Sequence, residues 1–172
     1  MDRLTTKLLS LLLIGSLAII VSGCAGTAPH QSSSTPVAVA RSASETLISL
    51  GDAVAQLATQ LVGIPYRYGG DHPDSGFDCS GLVFYTYAQH GISVPRTSQA
   101  LFKASEKIAL EQADEGDLVF FQDQEKLSHV GIYLGRGLFV HAPSSGSTVS
   151  VGSLDAPYYQ QHLVAVGRLL PN

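Results

Sequence analysis

Phe77-Asp78-Cys79-Ser80-Gly81-Leu82-Val83 opens a helix by its pattern, since apolar residues recur at helical spacing from Cys79 to His90 and Gly91 follows as a C-cap. Asp78 stands where an N-cap residue is expected, because a short carboxylate can accept the unpaired N–H groups of a first helical turn. The pattern therefore predicts a helix that carries the Cys79 thiol at its amino terminus. We expect the N–H groups there to lower the thiol pKa and to stabilise an oxyanion that forms beside the sulfur.

The other cysteine of the two in this 172-residue chain, Cys24, ends a segment with the features of an export signal. That segment carries Arg3 and Lys7, then an apolar run over 8–21, then the small residues Ser22-Gly23. The apolar run is short for a membrane span, because a helix needs roughly 20 such residues to cross a bilayer. The segment thus predicts export rather than a spanning helix.

Val21-Ser22-Gly23-Cys24 resembles the bacterial lipobox, which implies cleavage before Cys24, lipid on its sulfur and acylation of the new amino terminus. We therefore expect a lipoprotein signal over 1–23, with a lipid anchor in the membrane; an ordinary signal peptide with a chance cysteine is the alternative. Ala25 is not the aspartate that tends to retain Gram-negative lipoproteins at the inner membrane. The resemblance thus implies the cell envelope, at the outer membrane and facing the periplasm.

With Cys24 used for lipid, Cys79 is a free thiol in an oxidising compartment, where structural cysteines usually pair. A thiol kept free there is more often a nucleophile than core filler. The alternative is a small buried hydrophobe, which fits poorly with the polar neighbours Asp78 and Ser80.

The composition predicts one folded domain behind a tether. Residues 24–43 are rich in Ser, Thr, Pro and Ala and predict a flexible linker, whereas 44–172 is long enough to bury a core of its own. The net charge is −4 and there is no basic run, so nucleic acid is not an expected partner. We expect a monomer.

Helices come first in this domain and strands come later, which predicts an α+β fold with N-terminal helices packed on a small antiparallel sheet. Apolar spacing predicts a helix over 45–62, Gly and Pro residues predict a loop over 66–76, and a short helix is expected over 98–104. Strands are predicted over 117–121, 129–134, 138–141, 149–151 and 163–169.

A thiol nucleophile needs a base and a group that orients the base, and six histidines are available. His129 and His141 stand apart, because both fall on neighbouring strands of one predicted hairpin. A loop of odd length, such as Gly135-Arg136-Gly137, would place both rings on one face of the sheet. From spacing alone, two separate histidines that each bond a backbone carbonyl remain an equal alternative.

These residues belong to a series of ordered motifs that resembles the NlpC-type cell-wall peptidases, a papain-like group of cysteine peptidases. The resemblance covers about 57–169, which is essentially the whole domain. The motifs are Gly63-Ile64-Pro65-Tyr66-Arg67-Tyr68-Gly69-Gly70, the stretch around Cys79, Pro95-Arg96-Thr97-Ser98, Gly116-Asp117-Leu118-Val119-Phe120-Phe121, His129-Val130-Gly131-Ile132-Tyr133-Leu134-Gly135 and His141-Ala142-Pro143.

The resemblance implies a role for each matching position. Cys79 matches the nucleophile, His129 the general base, and His141 the polar residue that orients the base. Tyr66 matches a tyrosine that helps to hold the oxyanion, a role for which Tyr68 competes on chemistry alone. Asp78 and Ser80 match positions that bind the polar ends of the wall peptide in some members, and we expect Arg96 to be structural.

The resemblance implies a lipid-anchored peptidoglycan endopeptidase that cuts an amide in murein stem peptides or cross-links through a thiol acyl-enzyme, with no metal or cofactor. Two rivals from other classes are a zinc hydrolase built on His129 and His141, which lacks a third ligand at suitable spacing, and an inactive wall-binding lipoprotein of the same fold. A thiol-dependent acyl transferase is a third. Which amide is cut does not follow from the sequence.

Overall fold

The computed structural model describes residues 48–123 and 126–170, which form an α+β fold as the pattern predicts. The predicted signal over 1–23, the lipid attachment at Cys24 and the linker over 24–43 lie outside the described residues. Within the described ranges, no helix combines the length and the apolar character that crossing a membrane requires.

The helices in this part of the chain are α1 Leu50–Gln60, α2 Cys79–Gln89, α3 Ser98–Ala104 and α4 Pro157–His162. The predicted start of α1 at Glu45 was wrong, because Ile48 and Ser49 are not helical. The Ser49 hydroxyl accepts the Asp52 N–H at 3.0 Å and the Asp52 carboxylate accepts the Ser49 N–H at 3.1 Å, so a capping box fixes the helix start.

The other two predicted helices are confirmed. α2 begins at Cys79 and ends before His90, and Gly91 follows it with φ +74°, as a helix-terminating glycine does. α3 has the predicted bounds, and the Thr97 hydroxyl caps it by accepting the Ala100 N–H at 3.3 Å. α4 was not predicted, because its six residues are too few to show helical periodicity.

The strands of the described residues form two antiparallel sheets. Six strands lie in the order β3-β8-β4-β5-β6-β7, and β1 pairs with β2 alone. The bounds are β1 Asp71–His72, β2 Gly76–Phe77, β3 Glu106–Ile108, β4 Leu118–Asp123, β5 Lys126–Tyr133, β6 Leu138–His141, β7 Ser150–Ser153 and β8 Leu163–Arg168.

The prediction of an unbroken loop over 66–76 was wrong, since β1 and β2 form a small hairpin at its end. Phe77 is fully buried and pairs with Asp71, so one large apolar side chain anchors the hairpin. Two-residue strands show no alternation that a sequence pattern could reveal. β3, an exposed edge strand, was missed for the same lack of apolar signal.

Strand alternation divides the core between the two faces of the larger sheet. On one face, side chains of α1–α3 pack against strand residues at even positions; the buried set includes Val54, Leu82, Leu101, Phe120, Val130, Ile132 and Val140. On the other face, Val119, Phe121, Tyr133 and Phe139 form a second cluster against which Tyr159 of α4 packs. Two members of the second cluster contact the candidate histidines, since Phe121 stacks on His129 and Phe139 packs against His141.

Candidate active site

Cys79 is the first residue of α2, and the predicted N-cap is confirmed because Asp78 Oδ1 accepts the Gly81 N–H at 2.7 Å. The thiol is free and largely buried. The backbone N–H groups of Val130, Ser80 and Cys79 itself each act to lower the pKa of the thiol. Since Val130 follows His129 on β5, the strand that carries one candidate histidine runs directly past the thiol.

Gly81 is required in this turn by the close approach of the preceding loop. A Cβ at Gly81 would lie 2.0 Å from the Gly70 carbonyl oxygen and 2.9 Å from Arg96 Nη2. The same carbonyl accepts the Asp78 N–H at 3.0 Å, so loop and helix are held together at the thiol. Any larger residue would push the 66–70 loop away from Cys79.

The hairpin of β5 and β6 sets the relation between His129 and His141. Leu134 donates its N–H to the Leu138 carbonyl at 2.8 Å, which leaves the predicted three-residue loop. Gly135 and Gly137 in that loop have φ of +80° and +73°. The loop has odd length, so the two histidines share a face, as predicted.

The two histidines are not directly opposed, however. Ile132 pairs with Val140 and Tyr133 with Phe139, so the register continued along the strands brings His141 opposite Gly131. The rings therefore meet diagonally across the face. His129 Nε2 and His141 Nδ1 are 2.7 Å apart, so the alternative of two histidines bonded separately to backbone carbonyls was wrong.

This contact assigns the free nitrogen of each ring. His129 is left with Nδ1, which can take a proton from the thiol only if Nε2 carries the hydrogen and donates it to His141. His141 then accepts at Nδ1 and carries its own hydrogen at Nε2. Tyr159 Oη lies 3.3 Å from that Nε2 and Ser150 Oγ lies 3.5 Å from it.

Tyr66 and Tyr68 both line the cleft but differ in their exposure to solvent. Tyr66 lines the same cleft as Cys79. Burial raises the pKa of Tyr66, and the neighbouring Cys79 raises it further. Tyr68 also lines the cleft but is 88% exposed, so its hydroxyl is not held toward the sulfur. Position thus favours Tyr66 for the oxyanion role, as the motif register does.

Asp78 and Ser80 are brought together by Arg96. The guanidinium donates to Asp78 Oδ1 at 2.9 Å and Oδ2 at 3.0 Å, and to Ser80 Oγ at 3.0 Å. It also donates to the Gly70 carbonyl at 3.0 Å. Arg96 therefore ties the loop before the thiol to the N-cap of its helix, which is the structural role we expected of it.

An open cleft of about 480 Å³ is lined by Cys79, Tyr66, Asp78, Ser80 and Arg96. Its walls come from the 66–69 loop, the start of α2, residues 96–99 and Ser128 of β5. In the described residues, no three His, Cys, Asp or Glu side chains come together as metal ligands would.

The remaining described histidines stand outside this arrangement. His72 lies in β1 and packs its ring on Tyr85, His90 is the C-cap of α2, and His162 Nδ1 lies 2.6 Å from the Tyr158 carbonyl. None of these contacts involves the thiol.

The family model described as NlpC/P60 matches residues 63–168, which is more than half of the chain. The chain belongs to the NlpC/P60 family. This confirms the resemblance that the motifs around Cys79, His129 and His141 carry.

Relatives with known names support the assignment. The murein DD-endopeptidase MepH of Escherichia coli K12 is 38% identical over 147 residues, which are 78% of this chain and 54% of that protein. The bifunctional muramidase/DL-endopeptidase CwlT of Bacillus subtilis 168 is 40% identical over 121 residues, 69% of this chain and 36% of that protein. This chain thus spans about half the length of MepH and about a third of that of CwlT.

A solved structure agrees on the fold. A protein of Staphylococcus aureus Mu50, described as similar to lipoprotein and of the NLP/P60 family, superposes with a TM-score of 0.65 at 36% identity. The superposition covers 71% of this chain and 42% of that one.

The expectation that the NlpC/P60 thiol has a lowered pKa was wrong. Burial raises the pKa of Cys79, and the nearby Asp78 carboxylate raises it further, which together outweigh the N–H groups of Val130 and Ser80. The helix terminus acts on the thiol as expected, but its own N-cap supplies an opposing negative charge. At neutral pH the resting thiol is therefore protonated.

The two histidines are held neutral by the same physics. Burial lowers the pKa of His129, and the neighbouring His141 lowers it further, while burial alone lowers the pKa of His141. Phe121 stacks on His129 and Phe139 packs edge-on against His141, with ring centroids 5.9 Å and 4.9 Å apart. The Cys79 thiol and both imidazoles are therefore neutral at neutral pH.

Tyr159 and Ser150 are the polar groups of the site that sequence reasoning missed. Ser150 could have been found, since it directly faces His141 once β6 and β7 are paired. Tyr159 lies in the short helix α4, which shows no periodicity and whose position depends on the packing of the second core.

Proposed function

We propose that this protein is a peptidoglycan endopeptidase, a cysteine peptidase that hydrolyses an amide bond in the peptide part of the cell wall. Cys79 is the nucleophile, His129 the base and His141 the residue that orients the base. The observation that carries the proposal is the 2.7 Å contact of His129 Nε2 with His141 Nδ1, on a strand whose Val130 N–H acts to lower the pKa of the Cys79 thiol. A thiol, a base and a group that orients the base are the parts needed to activate a nucleophile.

Because thiol and base are both neutral at rest, the reaction begins with proton transfer when substrate is bound. Cys79 gives its proton to His129 Nδ1 and the thiolate attacks the amide carbon. The oxyanion is stabilised by N–H groups at the start of α2 and by the Tyr66 hydroxyl. His129 then returns the proton to the leaving amine, and water releases the acyl group from the sulfur by the reverse sequence.

The charge state of Asp78 argues against cleavage of the glycan. Glycan hydrolysis usually needs one carboxylic acid held protonated and a second carboxylate. Burial would raise the pKa of Asp78, but its bonds from Arg96 and from the Gly81 N–H lower it overall. The carboxyl group beside Cys79 therefore stays ionised and cannot act as that acid.

The substrate is a stem peptide or a cross-link of the wall, and Asp78 and Ser80 bind its polar end. Both residues line the cleft beside Cys79. MepH is named for a DD bond and CwlT for a DL bond, so the proposal covers both amides.

We further propose that the protein is held in the cell envelope by lipid on Cys24, at the outer membrane and facing the periplasm. The lipobox-like Val21-Ser22-Gly23-Cys24 supports this anchor. Several acyl chains on one residue are sufficient for stable anchoring. The 24–43 linker would then give the domain its reach toward the wall.

The test is incubation of the detergent-solubilised chain with defined muropeptides, with products read by mass. We expect new free amines and no new reducing sugar ends. A thiol alkylator should abolish the activity and a metal chelator should not. New reducing ends, or inhibition by the chelator alone, would assign the protein to another class of enzyme.

A further inference from the structure

The outer nitrogen of His141 faces two hydroxyl groups for which the proposed reaction has no role. His141 is only 2% exposed, so its Nε2 depends on protein groups for a hydrogen-bond partner. Tyr159 Oη lies at 3.3 Å and Ser150 Oγ at 3.5 Å. The first is an ordinary side-chain contact and the second is at the outer limit of one.

We infer that Tyr159 is a positioning residue of the site: its hydroxyl accepts the Nε2–H of His141 and so keeps His141 Nδ1 as the acceptor for His129. The inference rests on the proposed function, because it assigns Tyr159 a part in activating the same thiol. Tyr159 acts through His141 and does not touch the reacting atoms.

The tautomers show why this contact matters. If His141 carried its hydrogen at Nδ1, it would donate to His129 Nε2, and the hydrogen of neutral His129 would sit at Nδ1, the nitrogen to which the proposed reaction transfers the thiol proton. His129 could not then accept the thiol proton. An acceptor at His141 Nε2 favours the opposite and productive arrangement.

The packing of Tyr159 makes it the better placed of the two hydroxyls. Its ring lies against Phe139 and Phe121, with centroids 4.9 Å and 5.1 Å away, and meets the His141 ring edge-on at 5.4 Å. Three ring contacts hold the phenol at one angle. Burial also raises the pKa of Tyr159, with the nearby Tyr158 adding to the rise, so the hydroxyl stays protonated.

In this scheme no proton is transferred to or from Tyr159. When the Cys79 S–H bond breaks, an N–H bond forms at His129 Nδ1 and His129 becomes positive. His129 Nε2–H strengthens its bond to His141 Nδ1, which polarises His141 Nε2–H toward Tyr159 Oη. The charge is thereby stabilised while every other hydrogen stays on its own atom, and the return of the proton to the leaving amine reverses the change.

The titratable groups that face this chain of bonds come from several elements. His141 is faced by His129 from β5 and Tyr159 from α4. The charged and titratable groups near the thiol are Asp78 at the start of α2, Tyr66 from the preceding loop and the Arg96 guanidinium. A pH profile of thiol reactivity therefore has to be compared between variants that leave every one of these groups except the Tyr159 hydroxyl in place.

The chain offers a matched set of variants for this comparison. Tyr159→Phe removes one oxygen and keeps the ring contacts. Tyr158→Phe is the control, because Tyr158 is adjacent, 56% exposed and stacked on His162 rather than on His141. Ser150→Ala tests the second hydroxyl, and Tyr159→Phe combined with Ser150→Ala leaves His141 Nε2 with neither.

The first readout is the rate at which iodoacetamide alkylates Cys79 in the full chain in detergent. The rate is measured by mass spectrometry of the peptide that contains Cys79. At neutral pH the thiol reacts through proton transfer to His129. Loss of one hydrogen bond to the charged state should slow the reaction of Tyr159→Phe about 3- to 10-fold. Ser150→Ala should have a smaller effect, and Tyr158→Phe should match the unaltered protein.

The pH profile separates positioning from general damage. As the pH approaches the thiol pKa, the thiolate forms without help from His129, so the rates of Tyr159→Phe and unaltered protein should converge. A defect of equal size at neutral and alkaline pH would show a distorted site and overturn the inference. A neutral-pH rate for Tyr159→Phe equal to that of Tyr158→Phe would overturn it as well.

The second readout is muropeptide hydrolysis, where Tyr159→Phe should lower kcat about 3- to 10-fold with KM unchanged. A change confined to KM would contradict a positioning role. If the unaltered protein hydrolyses no muropeptide, the proposed function fails, but the alkylation profiles still decide the role of Tyr159. The two failures are thus distinguishable.

Discussion

Replacing Arg96 with Ala should destabilise the fold rather than remove a catalytic group. Its guanidinium spans both oxygens of Asp78 and reaches the Gly70 carbonyl, and the Asp78 side chain is only 13% exposed. Without Arg96 the carboxylate keeps its bonds from the Gly69 and Gly81 N–H groups but loses its cation. An ionised group that loses its partner in a shielded place carries a large desolvation cost.

The size of the effect follows from these contacts. Each bond between charged groups contributes about 1.5–3 kcal/mol when shielded from water. The Arg96 side chain is 31% exposed, so solvent already weakens the pair. We therefore expect Arg96→Ala to lower the free energy of unfolding by about 2–3 kcal/mol. The free energy of unfolding of Arg96→Lys should lie between those of Arg96→Ala and the unaltered protein, because one ammonium group cannot bond both Asp78 oxygens and the Gly70 carbonyl at once.

The assay is urea unfolding followed by circular dichroism, with Arg67→Ala as the control. Arg67 is exposed in the same loop, and its removal should change the free energy of unfolding by less than about 0.5 kcal/mol. Equal stabilities for Arg96→Ala and Arg67→Ala at neutral pH would refute the structural role of Arg96.

The pH dependence gives a second check on the same pair. The pKa of Asp78 is lowered in the folded state, despite burial, by the Arg96 and Gly81 bonds. The stability from this group is therefore present above the unfolded pKa of about 3.9 and is lost as the pH falls below it. The free energy of unfolding of Arg96→Ala should therefore decrease less than that of the unaltered protein as the pH falls.

Other substitutions test the thiol, the histidines and the anchor. Cys79→Ser should abolish muropeptide hydrolysis with little change in thermal stability, because the hydroxyl is far less acidic than the thiol; full activity would remove Cys79 from the mechanism. His129→Ala should cost far more activity than His141→Gln, since glutamine still accepts a ring hydrogen bond while nothing replaces the base, and equal losses would contradict the assigned roles. Because the pKa values of His129 and His141 are lowered in the folded state, the unfolded chain binds more protons below about pH 6.5. The free energy of unfolding should therefore decrease as the pH falls below that value. In acid titrations, His141→Gln should reduce the slope of the free energy of unfolding against pH by up to about 1.4 kcal/mol per pH unit. Cys24→Ala should prevent fatty-acid labelling and release the protein from membranes without changing the hydrolysis rate; continued labelling would refute the lipobox interpretation.

Local sequence decided the parts of the site that depend on neighbours along the chain. Asp78 caps α2 and places Cys79 at its first residue because a carboxylate next to an apolar helical repeat has one favourable arrangement. The three-residue loop at Gly135-Arg136-Gly137 puts His129 and His141 on one face by strand parity alone. Short elements with no period, such as β1, β2 and α4, could not be read in this way.

The sequence by itself determined the elements on which the candidate residues lie, because helix capping and strand alternation are local rules. Only the tertiary structure decided the diagonal meeting of His129 with His141 and the arrival of Tyr159 from α4. It also decided the sign of the Cys79 pKa shift, which depends on burial and on the distance to Asp78. Burial and the charges around a group come from segments far apart in the chain, so no local pattern carries them.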